Sequence, residues 1–131
     1  MTPELTVLGL AILLHMVLLC LYAVRANLEI GRAYTTGPRD TPPERPLGTT
    51  TARLQRAVNN SLESLILFAP AALMVGLTHQ STPDTAAVAW AFLAARLLYI
   101  PAYALGLAPW RSAIWGLGFL ATLFLTLAAL F

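Results

Sequence analysis

The stretch from Leu5 to Val24 contains no Asp, Glu, Lys or Arg, and nothing else in the sequence restricts the fold as much. A bilayer hydrocarbon core is about 30 Å thick, and a helix needs roughly 20 mostly apolar residues to cross it. Thr85 to Leu107 meets that need with one charge, Arg96, and Ala113 to Phe131 meets it with none. The remaining candidate is less clean, since only Leu65 to Leu77 is uniformly apolar. It becomes long enough when its helix starts near Arg53 and carries Asn59, Asn60 and Glu63 into the membrane. In lipid every backbone polar group must be paired within the protein, which leaves helices as the spanning elements for these stretches. The expected fold is therefore all-α: an integral, multi-pass four-helix bundle over residues 1–131, with spans at about 5–25, 53–78, 84–107 and 110–131.

Composition excludes the other classes. Charged residues make up 11% of the chain, against about a quarter in ordinary soluble domains, which argues against both a typical soluble enzyme and a disordered chain. Cys20 is alone and cannot form an internal disulfide. Eight Arg against six acids leave a net charge of +2, too little and too interleaved for a nucleic-acid partner. The first stretch has Glu4 where a signal peptide has a basic head, a longer apolar run, and Arg25 beyond it. It is expected to remain as a span rather than be cleaved.

Orientation follows from the arginines. The first loop, about 26–52, holds Arg32, Arg39 and Arg45, with Arg25 before it and Arg53 and Arg56 after it. The second, Thr78 to Asp84, has no Lys or Arg, and the short third holds Arg111. The positive-inside rule places the first and third loops in the cytoplasm and both termini on the opposite face. Pro38, Pro42, Pro43 and Pro46 make the middle of the first loop extended. Thr49, Thr50 or Thr51 is expected to cap the following helix.

Polar residues within spans are expensive, so each needs a reason. Arg53, Arg56, Asn60 and Glu63 recur at helical spacing and share an arc of roughly 80°. Arg96, Tyr99 and Tyr103 form a second stripe on the third span, and the two stripes are expected to face each other. Counted from the loop end, Glu63 lies about 15 Å deep and Arg96 about 16 Å. A structural ion pair between Glu63 and Arg96 is therefore expected, with Asn60 level with Tyr99 and Arg56 level with Tyr103. Such contacts serve as interhelical glue without any chemistry. Arg53, Arg56 and Arg111, however, outnumber the nearby acids and leave positive charge for an anionic ligand. His15 and Cys20 are expected to pack, since no metal-ligand spacing accompanies them, and no metal site is expected. Pro70 and Pro101 are tolerable in membrane helices. Trp90, Trp110 and Trp115 are expected to anchor at the interface or face lipid.

Taken together, RLQRAVNNSLE (Arg53 to Glu63) and RLLYIPAYALGLAPWRS (Arg96 to Ser112) resemble the MAPEG family, the membrane-associated proteins in eicosanoid and glutathione metabolism. The likeness covers nearly the whole chain and is nearest the bacterial branch. It implies a homotrimer of four-helix bundles in the bacterial inner membrane, with glutathione as co-substrate held between neighbouring subunits at the cytoplasmic side. By motif position it implies that Arg56, Asn60, Glu63, Tyr99, Tyr103 and Ser112 bind glutathione. It also implies that Arg111 is the catalytic residue, stabilising the glutathione thiolate. The chain departs from the family's prostaglandin synthase at Asn59, which stands where that enzyme has a further glutathione-binding Arg. Arg25 and Arg32 are both candidates for the basic residue that characterised members place late in the first helix.

The function these readings imply is a membrane-embedded glutathione-dependent transferase or peroxidase acting on lipophilic electrophiles. The alternative is a non-catalytic membrane binding or interaction protein on the same fold. A small four-span exporter is a third reading, which the lack of a carboxylate in the first span and the expected pairing of Glu63 disfavour.

Overall fold

The computed structural model describes residues 1–131. It contains α1 (Pro3–Ile30), α2 (Arg32–Thr35), α3 (Thr49–Leu77), α4 (Pro83–Ala104) and α5 (Ala108–Leu130). All but the single-turn α2 are long and apolar enough to cross a membrane. The chain is an integral multi-pass membrane protein built as an all-α bundle.

Local signals set the helix ends. Thr2 caps α1 by accepting from the Leu5 N–H, with Pro3 in the first turn, where its missing N–H and fixed φ cost nothing. Thr82 and Thr85 form a reciprocal capping box at the start of α4. The threonine cap expected for α3 is not found: its N-cap is Gly48, and Thr49, Thr50 and Thr51 lie inside the helix. The acceptor comes instead from the end of α1. The Glu29 carboxylate accepts from the Gly48 N–H at 2.9 Å and from the Thr51 hydroxyl at 2.6 Å. A carboxylate is favourable there because the helix N-terminus carries a partial positive charge. Residues 37–48 between them have no helix or strand.

The backbones of α1 and α5 do not approach closely, whereas α3 and α4 pack against each other and both outer helices. The apolar core sits among all four spans, with Val7, Phe68, Val75, Phe92 and Leu125 fully or almost fully buried. Phe68 and Phe92 stack with ring centroids 3.9 Å apart. Ala11, Ala71, Ala72, Ala89 and Ala121 belong to the same cluster. Small residues matter because lipid gives helices no hydrophobic drive to associate, so close backbone approach and dispersion must hold them. Leu13, Met16, Val17, Leu98 and Phe119 point outward and are exposed, as a lipid-facing surface requires.

A second cluster, Leu18, Leu54, Ala57, Val58 and Tyr99, lies toward the end carrying the long loop. Tyr99 belongs to it and Tyr103 packs against it, so the tyrosines of the third span are anchored in apolar packing. At the opposite end the fully buried Glu4 accepts from Thr85 Oγ1 at 2.5 Å and Ser81 Oγ at 2.8 Å. Those bonds tie α1 to the start of α4.

Candidate functional site

One cavity of about 640 Å³ opens among α3, α4 and α5, within the size range of small-molecule sites. Arg56, Asn59, Asn60 and Glu63 line it from α3, Tyr99 and Tyr103 from α4, and Arg111, Ser112, Trp115 and Gly116 from α5. The helix period puts Arg56, Asn60 and Glu63 on one face. The tight turn between α4 and α5 folds Arg111 back onto Tyr103. That turn needs Gly106, whose φ is +72°, a region that side chains with a Cβ resist.

Cations and aromatic rings alternate through the site. The Arg96 guanidinium lies 4.3 Å from the Tyr99 ring centroid, and the Tyr99 and Tyr103 centroids are 5.5 Å apart. Arg111 sits 4.8 Å and Arg56 5.8 Å from the Tyr103 centroid. The Arg56 Nε also donates to Tyr103 Oη at 3.1 Å, which agrees with the two residues lying level across the antiparallel helices. Each cation–π contact contributes roughly 0.5–2 kcal/mol depending on desolvation. Here they also hold two guanidiniums on the same ring, so the cavity keeps concentrated positive charge.

The expected Glu63–Arg96 ion pair is not formed. The single ion pair in the structure is Arg25–Glu29 at 3.7 Å. Arg96 instead donates from Nη1 to Asn60 Oδ1 at 3.1 Å, and Glu63 is exposed at the cavity. The partner of Arg96 on α3 is thus one turn nearer the loop end than expected, and three residues along a helix also turn the side chain by about 60°. Asn60 therefore meets α4 while Glu63 turns toward α5. Arg96 itself does not line the cavity.

The structure gathers Arg56, Asn60, Glu63, Tyr99, Tyr103, Arg111 and Ser112 around this one space. Arg53 lies outside it, donating to the Ala104 carbonyl at 3.4 Å. Neither Arg25, which donates to Thr51 Oγ1 at 3.1 Å, nor Arg32 reaches it. Sequence reasoning missed Asn59, Trp115 and Gly116 as lining residues. Trp115 was expected to serve only as an anchor or packing group. Its position one turn after Arg111, on the same face of the last span, was the signal that could have placed it in the cavity. His15 is hydrogen-bonded through Nδ1 to Ser61 Oγ at 3.0 Å, a polar contact rather than simple packing.

The family model of the MAPEG family matches residues 5–131. No curated protein and no solved structure matches the chain.

Proposed function

The chain belongs to the MAPEG family, and from that premise we propose that it is a membrane-embedded glutathione-dependent transferase or peroxidase acting on lipophilic electrophiles. The observation that carries this reading is the side-chain set of the cavity: Arg56, Arg111, Asn60, Ser112 and two tyrosines against one facing carboxylate, Glu63. Glutathione near neutral pH carries two carboxylates and one ammonium, so its net negative charge meets a net positive cavity. Arg56, supported by Tyr103 and Asn60, suits a carboxylate end, and Glu63 suits the ammonium. Arg111 is then left for the sulfur.

When bound, glutathione supplies a thiol nucleophile. A thiol near neutral pH is mostly protonated, and an adjacent cation raises the thiolate fraction. Arg111 fits that role because a guanidinium stays charged even when partly desolvated. Its place over the Tyr103 ring restricts where that charge can sit. A smaller recess of about 120 Å³ continues past Glu63 and Trp115, lined by Leu67, Phe92 and Phe119. It would admit an apolar electrophile that arrives laterally from the bilayer.

Assembly as a homotrimer, in a bacterial inner membrane with the first loop in the cytoplasm, belongs to the same proposal. Asn59, Glu63 and Ser112 are exposed on the open side of the cavity, where a neighbouring subunit would close it. Native mass spectrometry of the detergent-solubilised protein tests the trimer.

The activity test measures conjugation of 1-chloro-2,4-dinitrobenzene and reduction of cumene hydroperoxide in proteoliposomes. We expect thiol-dependent turnover that drops by about 100-fold in Arg111→Ala, the scale seen when one charge-stabilising donor is removed. Unchanged turnover in that variant would remove Arg111 from the chemistry. A thermal stabilisation by glutathione that Asn60→Ala abolishes, with no turnover on either probe, would establish the non-catalytic binding reading instead.

A further inference from the structure

Arg96 stands behind the cavity, 5% exposed, and does not line it. Its Nη1 donates to Asn60 Oδ1 at 3.1 Å. A guanidinium has donors and no acceptor, so the amide atom facing it must be the oxygen. That chemistry fixes the Asn60 amide one way round. The Nδ2 hydrogens face away from Arg96 and make no hydrogen bond within the protein, while Asn60 lines the cavity.

The other arm of Arg96 is also informative. Nη2 is buried and has no protein partner. Arg96 and Ser61 border a void of about 10 Å³, and Ser61 Oγ is 3.0 Å from His15 Nδ1. A void of that size holds about one water. A water there would accept from Nη2 and donate to Ser61 Oγ, and Ser61 would donate its hydroxyl proton to His15 Nδ1. That line would give the buried Nη2 one acceptor and give the Ser61 hydroxyl both an incoming and an outgoing hydrogen bond. Leaving a buried charged donor unpaired costs more than any of these bonds contributes.

We propose that Arg96 is a positioning residue, braced by a water-bridged Ser61–His15 pair. It presents Asn60 to the cavity as a hydrogen-bond donor for an acceptor group of the ligand, a carboxylate or amide carbonyl. The brace joins α1, α3 and α4. Lysine would not substitute, because a single ammonium lacks the rigid planar fork that bonds Asn60 through Nη1 and holds a second donor, Nη2, apart from it. The identity of the ligand rests on the glutathione reading; the polarity of Asn60 does not.

Full-length protein in lipid nanodiscs provides two readouts. Without ligand, ¹⁵N NMR follows the Asn60 side-chain amide, assigned by its loss in Asn60→Ala. Its protons are expected to contact solvent water, and Arg96→Met is expected to shift the signal. An amide shielded from water, or unmoved in Arg96→Met, overturns the proposal. With glutathione as probe, calorimetric titration compares Arg96→Met, Asn60→Ala and the double variant. Each single change is expected to weaken binding about tenfold, and the double change no more than Asn60→Ala alone. Additive losses overturn the positioning role. Asn60→Asp keeps an acceptor for Arg96 but offers the cavity no donor. It is expected to retain the wild-type Tm and lose about tenfold in affinity; wild-type affinity overturns the donor assignment. If wild-type protein does not bind glutathione, the glutathione reading falls, and the amide spectrum decides the brace alone.

Discussion

Tyr103 is the side chain on which the two cations of the cavity converge, so it separates a hydrogen bond from a ring contact. Tyr103→Phe removes the bond from Arg56 at 3.1 Å and keeps both guanidinium contacts with the ring. At about 1 kcal/mol for such a bond, glutathione affinity should fall roughly fivefold. Tyr103→Leu also frees both guanidiniums and should cost well beyond that. Calorimetric titration of the two variants checks this, and equal losses would mean the ring contributes nothing. Residues of this kind were legible in the sequence because a polar stripe on an apolar span must face another helix or a water-filled space rather than lipid. Arg56, Asn60 and Glu63 share a face by arithmetic alone, and Tyr103 follows from antiparallel depth. What arithmetic along one helix leaves out is the azimuth of the neighbour. Glu63 and Arg96 match when residues are counted from the loop end, yet Arg96 bonds Asn60 one turn away, and Trp115 reads as a membrane anchor until α5 is set beside α3.

Helix ends depend on partners that hydropathy does not report. The four spans follow from apolar length, but the start of α3 is set by Glu29, 19 residues before the Gly48 N–H it accepts from. No local pattern links the two. Glu29→Ala should loosen the beginning of α3 and the loop before it. Limited trypsin digestion in detergent should then cut faster after Arg39, whereas Arg45 is followed by Pro46 and resists cleavage. An unchanged digestion rate would mean the loop is held by other contacts. The turn after α4 depends on Gly106 in two ways. Its φ is +72°, and a Cβ there would come within 2.8 Å of the Arg53 guanidinium. Arg53 bonds the Ala104 carbonyl, placing a cation at a helix C-terminus where it is favoured. Gly106→Ala should therefore lower stability by about 1–3 kcal/mol, read as a lower Tm in detergent. Arg53→Ala combined with it should relieve the steric part, since both changes act on one contact.

For the molecule as a whole, the partition of charge is the strongest directional signal. Of the eight arginines only Arg96 lies in the interior of a span; Arg25, Arg32, Arg39, Arg45, Arg53, Arg56 and Arg111 cluster at the end with the long loop. The opposite loop, Thr78–Thr82, has no Lys or Arg. Translocating the basic end would work against the bias that sets membrane topology, so that end should be cytoplasmic. The cavity mouth, with Arg56 and Arg111, would then open where water-soluble thiols are abundant, while an apolar electrophile would enter the recess beside Phe119 from the lipid. The two reactants could meet without either crossing the membrane. Cysteine accessibility tests this directly. Cys20 is the sole native thiol, so Cys20→Ser gives a clean background for Thr41→Cys and Gln80→Cys. With a membrane-impermeant maleimide, Gln80→Cys should label on intact cells and Thr41→Cys only after permeabilisation. The reverse pattern would invert the topology and put the cavity mouth on the face away from the cytoplasm, where a supply of reduced glutathione could no longer be assumed.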